Sequence, residues 1–210
     1  MKVNTYTRQQ IQTGYSLVEL SVALSIVAVV IVAGLLGARQ VMLSNTTNNQ
    51  IRESNQTIAK LRKALARQTD TSELTGSAAG RMTVWPNDRS SCTTGASPVC
   101  TNRSVFNQAF EHAFTNTDAH GNNLPANAGV MYVLWHVPNQ ACTDLVNGLD
   151  ASAYALYAGV STAAQPTAGT VPAGFATVKA PDASTVSVAN LAAGCANSSG
   201  YSDIYAAIQL

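Results

Sequence analysis

The chain has 210 residues, of which 46 % are hydrophobic and only 11 % charged, with a formal net charge of +1. Soluble domains carry about 25 % charged residues; here Ala, Ser, Thr, Asn and Gly fill the difference. That balance argues for neither nucleic acid nor a strongly acidic partner. It suits an exported protein, or one that packs against copies of itself, with length enough for one ordinary domain.

Lys2 and Arg8 open the chain with no acid beside them. From Leu20 to Ala38 the only polar side chains are Ser21 and Ser25, in a run close to the roughly 20 residues that span a bilayer as a helix. The basic residues hold the amino end in the cytoplasm. The rest, with all four cysteines (Cys92, Cys100, Cys142, Cys195), then lies where disulfides form. Three readings compete. A secretory signal would be cleaved near Ala38, although signal cores are shorter, about 7–15 residues. A plain membrane anchor would stay uncleaved. The third reading gives a role to the Gly14–Tyr15 step and to Glu19, the one acid at the mouth of the run. A carboxylate in hydrocarbon needs a partner or must become neutral, and a helix amino end favours it.

The stretch GYSLVEL, Gly14 to Leu20, with the apolar run behind it, resembles the amino terminus of type IV prepilins. The resemblance implies a leader, residues 1–14, removed by a prepilin peptidase between Gly14 and Tyr15. The new Tyr15 amine is then methylated. Tyr15 stands where Phe, Met or Leu is more usual. Glu19 becomes the fifth mature residue, whose carboxylate pairs with the terminal amine of a neighbouring subunit and sets axial register. The implied partners are the peptidase, the inner-membrane pilus assembly machinery, the membrane before assembly, and further copies of the chain in a filament.

Beyond Arg39, Ile51, Ile58 and Leu65 recur every seven residues with Leu61 on the same stripe, interrupted by Thr47 and Ser54. Arg52, Glu53, Lys60, Arg62, Lys63 and Arg67 take the other faces, and no proline occurs before Pro86. One helix is therefore expected over residues 15–68, its membrane half at about 20–38, weakened at Gly34 and Gly37. The missing proline is a trait that the chain shares with the type IVb branch of the family.

A globular head is expected over residues 69–210. Thr69 to Gly80 reads as a polar exit from the helix, and Val84-Trp85-Pro86 resembles the aromatic-proline step after a pilin helix. Cys92 and Cys100 flank a Gly and a Pro, which suits a small disulfide-closed loop. Phe106, Phe110 and Phe114 are spaced as on a short helix, with core packing favoured over a binding face. Val130 to Val137 is the best strand; a helix follows, with Asn139 as cap and Gly148 as stop. Ala163 to Ser184 reads as an exposed loop, and the SDIYAAIQL stretch as a strand. Four cysteines allow three connectivities; the family resemblance implies Cys142–Cys195, closing a long loop.

The histidines are His112, His120 and His136, and no GxSxG, HExxH or phosphate loop accompanies them. No CxxC supports zinc. Asn102 and Asn197 head chance sequons. The expectation is an α+β pilin fold: a long apolar amino-terminal helix on an antiparallel sheet, with no enzymatic activity, metal or cofactor. The expected place is the inner membrane as prepilin and an extracellular pilus after assembly. A minor pilin or secretion pseudopilin shares that amino terminus. An exported or anchored periplasmic binding protein is the alternative of another class.

Overall fold

The computed structural model describes residues 16–68, 70–86, 89–92, 100–106, 109–115, 129–181 and 183–210. Contacts divide the chain into two units, Met1–Met42 and Leu43–Leu210. Helix α1, Leu17–Leu65, runs through both. Its 49 residues measure about 73 Å at 1.5 Å per residue.

In the first unit the helix is sheathed in exposed aliphatic side chains, from Leu17 at 85 % to Met42 at 68 %. The hydroxyls of Ser21 and Ser25 donate to the carbonyls of Val18 and Ser21, both at 2.8 Å. The helix thus satisfies its own side-chain donors and leaves an apolar cylinder. Ser16 Oγ accepts from the Val18 N–H at 3.3 Å and opens the helix.

The second unit is a seven-stranded antiparallel sheet faced by helices. In chain order its strands are β1 (Ser90–Cys92), β2 (Cys100–Arg103), β3 (Phe110–Thr115), β4 (Gly129–Pro138), β5 (Ala155–Val160), β6 (Ala176–Lys179) and β7 (Tyr201–Gln209). Three further helices join them: α2 (Gly76–Arg81), α3 (Asn139–Leu149) and α4 (Val188–Cys195). The spatial order β1-β2-β3-β4-β7-β5-β6 puts β7 between β4 and β5. The α+β architecture with a long amino-terminal helix is therefore as the residue patterns predict.

One sheet face carries the main core. Ile58, Leu61 and Leu65 of α1 meet Tyr132, Leu134, Ile204 and Ile208 of the central strands there. Burying each such aliphatic side chain contributes about 1.5–3 kcal/mol. Arg62 fastens the end of α1 to the sheet unit by donating to the carbonyls of Ser152 (2.8 Å) and Gln209 (3.2 Å). The opposite face holds a smaller core of Met131, Val133, Tyr157 and Tyr205 capped by Val171 and Phe175. α4 lies tight on β5: a Cβ added at Gly194 would stand 2.8 Å from both Cβ and O of Ala158. Gly194→Ala is therefore expected to destabilise the fold by about 1–3 kcal/mol, although Ala is the better helix former. Urea unfolding measures this, and an unchanged midpoint would contradict the close approach.

Several local expectations need correction. Phe110 and Phe114 lie on strand β3, and Phe106 sits in the turn before it. A spacing of four serves a strand face as well as a helix face. Asn139 does not cap α3: Pro138 holds the cap position without a side-chain bond, and Asn139 Nδ2 donates to Asn197 instead. Nor does Gly148 stop that helix, which continues to Leu149. The stretch 163–184 is not simply exposed, because Val171 caps the second core and β6 forms the sheet's edge. The polar exit after α1 contains α2, whose cap Thr75 accepts from the Ala78 N–H.

Candidate functional site

Glu19 lies in the first turn of α1 and is exposed. It is the only acid on the apolar cylinder, and Arg39 the only base. None of the cylinder's most apolar stretch is buried. It is long and apolar enough to cross a membrane by length and composition. An apolar surface of this kind is favoured in lipid or against other apolar surfaces, and a carboxylate placed on it favours a nearby cation. Gly14 and Tyr15, the predicted cleavage and methylation positions, lie outside the described residues, as does His120.

Both cysteine pairs are bonded. Cys92 and Cys100 face each other across the β1–β2 pair. Cys142 on α3 joins Cys195 at the end of α4, with Cα atoms 5.6 Å apart and a sequence separation of 53. This second bond ties the two short helices together on the main-core face.

His136 sits in the bulge of β4 between Leu134 and Val137, with φ of +63°. The buried carboxylate of Asp203 holds that bend. It accepts the N–H of His136 at 2.8 Å and both the N–H (2.9 Å) and hydroxyl (3.1 Å) of Thr162. The imidazole stacks on Tyr201 at 4.0 Å, and its Nδ1 meets Ser161 Oγ at 3.1 Å. Asp203 spends its oxygens on backbone and on Thr162, not on the imidazole. A serine, a histidine and an acid are thus neighbours here without forming the relay that nucleophilic catalysis requires. His112, on β3, stacks on Phe114, and its buried Nε2 has no partner. Burial pushes its pKa down to about 4. No cluster of metal-binding side chains occurs among the described residues. A groove of about 560 Å³ at β1–β2 is lined by Arg89, Ser90, Ser91, Thr101, Arg103 and Ser104. Arg89 is already engaged there by Glu53.

One polar cluster lay beyond the residue patterns. Thr47, Gln50, Ser54 and Thr57 of α1 are buried. Gln50 Nε2 donates to Glu111 Oε1, and Asn102 Nδ2 donates to Glu111 Oε2 at 3.0 Å. Burial raises the Glu111 pKa to about 7. The signal existed in the sequence: these four polar residues recur at three- and four-residue intervals, the spacing of one helix face.

No family model matches the chain, and no curated protein matches it. Among solved structures it is similar to the crystal structure of a type IVb pilin from Salmonella typhi, at 14 % identity and a TM-score of 0.42. The similarity covers 76 % of this chain and 97 % of that one.

Proposed function

We propose that the chain is a type IVb-like prepilin, processed after Gly14 and polymerised through α1 into an extracellular filament. The observation that carries this reading is the fully exposed apolar cylinder of α1 with a single acid, Glu19, in its first turn. Such a surface is stable in a bilayer, and equally so packed laterally against identical helices once it leaves the bilayer. Glu19 adds selectivity, because only one offset between neighbours brings its carboxylate to the Tyr15 amine. The partners are then the prepilin peptidase, the inner-membrane assembly machinery and other copies. The disulfide-tied head faces the outside. Its role is structural, in adhesion, aggregation or transfer.

Mass spectrometry of the amino-terminal peptide from the native host tests the processing step. A chain beginning at Tyr15 with a methylated amine is expected. A chain beginning at Met1 or near Ala38 would overturn the reading in favour of an anchor or an ordinary signal. Glu19→Val should still be cleaved and membrane-held, yet yield at least about tenfold fewer filaments in sheared preparations, the equivalent of losing one charge pairing in an apolar setting.

A further inference from the structure

Glu111 is 3 % exposed and sits on β3, at the seam where α1 meets the sheet. The groups facing it come from every element packed around it. From α1 come Gln50 and Ser54, the latter joined to Gln50 at 3.0 Å, and also the carboxylate of Glu53. β2 supplies Asn102. β4 supplies Tyr132, whose hydroxyl donates to Ser54 Oγ at 3.0 Å. The indole of Trp85 faces the same carboxyl, but its Nε1 does not reach hydrogen-bond geometry. Gln50 Oε1 is itself held by the Val105 N–H at 2.8 Å. The nearby cation, Arg89, is committed to Glu53 through both guanidinium nitrogens. Glu111 therefore has amide donors and the neighbouring Tyr132 hydroxyl but, among the described residues, no counter-ion of its own, and Glu53 adds a like charge.

We propose that this cluster is a proton-operated latch between α1 and the sheet. With Glu111 protonated, the Thr47–Thr57 stretch of α1 is held on the sheet. When Glu111 ionises, that stretch separates enough to let water reach the carboxylate. A charge buried without a cation is costly, and the cheapest relief is local opening of the element that seals it. The seal on this stretch is mostly polar: Ile51 against Gly148 is its main apolar contact, Asn55 bonds Gly148 and Ser152, Glu53 holds Arg89, and the buried Thr47, Gln50, Ser54 and Thr57 add little apolar area. The apolar anchor of Ile58, Leu61 and Leu65 lies further along. The sheet need not move, because Glu111 sits inside the ladder, opposite Asn102 of β2 and Leu134 of β4. Acid thus tightens the helix on its sheet, and alkali loosens it.

Hydrogen exchange on the full-length protein in detergent micelles tests the latch. The amides of residues 47–57 are expected to exchange roughly 50-fold faster at pH 8.5 than at pH 5, after correction for intrinsic rates. Those of β7 should stay unchanged, and in Glu111→Gln the ratio should fall to near one. A ratio near one in the wild-type protein, or one that persists in Glu111→Gln, would overturn the proposal. The wild-type chain supplies an independent check through the carbon-13 signal of the Glu111 carboxyl. A midpoint near 7 is expected, and a midpoint below about 5, in the ordinary carboxyl range, would equally sink the latch.

Discussion

Replacing Cys142 and Cys195 together by alanine is expected to lower the unfolding free energy by about 4 kcal/mol. The figure follows from the sequence separation of 53 between the two bonded residues, because the bond restricts the unfolded chain more the longer the loop it closes. That loop contains most of α3, β5, β6 and most of α4, so without the bond these four elements must be gathered at full entropic cost. The same substitution at Cys92 and Cys100, separated by only 8 residues, should cost about 2.5 kcal/mol. Urea unfolding of the full chain in micelles compares the two. Equal losses, or a larger one for the short loop, would show that the stretch between Cys142 and Cys195 is already ordered in the unfolded chain.

Stability against pH is expected to be level between pH 4.5 and 6.5 in the wild-type protein and to tilt in opposite directions in two single variants. Glu111 and His112 are adjacent on β3 and point to opposite faces of the sheet. The Glu111 pKa rises from 4.5 to about 7, while that of His112 falls from 6.5 to about 4, both mainly by burial. In this window the folded chain keeps the Glu111 proton and leaves His112 neutral. The unfolded chain does the reverse. Both states bind the same number of protons at the pair, so the slope vanishes. Glu111's contribution is full below pH 4.5 and is lost as the pH rises through 7. His112's contribution is full above pH 6.5 and is lost as the pH falls through 4. Glu111→Gln should therefore show stability climbing by up to about 3 kcal/mol from pH 4 to 6.5, and His112→Gln a fall of similar size from pH 4.5 to 7. Parallel slopes in the two variants would contradict the opposed burial of the two groups.

The large features of this fold were legible because they rest on long, regular patterns. α1 was readable from an apolar run without proline, followed by a seven-residue stripe. β4 was readable from β-branched and aromatic residues bounded by Gly129 and Pro138. Where local signals serve two geometries, reading failed. Phe110 and Phe114 fit a strand as well as a helix, and only pairing with Trp135 and Met131 decides between them. Asn139 resembles a cap until Asn197, distant in sequence, claims its amide. β5 escaped notice because Ala and Gly dilute its alternation; both its faces are buried, so small residues suffice there. For the candidate site, Glu19 and its apolar run were plain in the sequence. The Glu111 cluster was not, since Ser54 looked like a gap in a stripe and in fact joins Gln50 and Tyr132 beside the carboxyl.

The position of β7 has a consequence for the order in which the head is completed. A chain emerges from synthesis amino end first, so β4 and β5 both appear before the strand that separates them in the sheet. Each waits with an open edge, the kind of surface that pairs with the wrong chain. Cys195 emerges before Tyr201, so the covalent tie from α3 to α4 can form while the sheet is still in two halves. Oxidation at that stage would tether the two halves, and β7, pairing with both β4 and β5, would then close both edges.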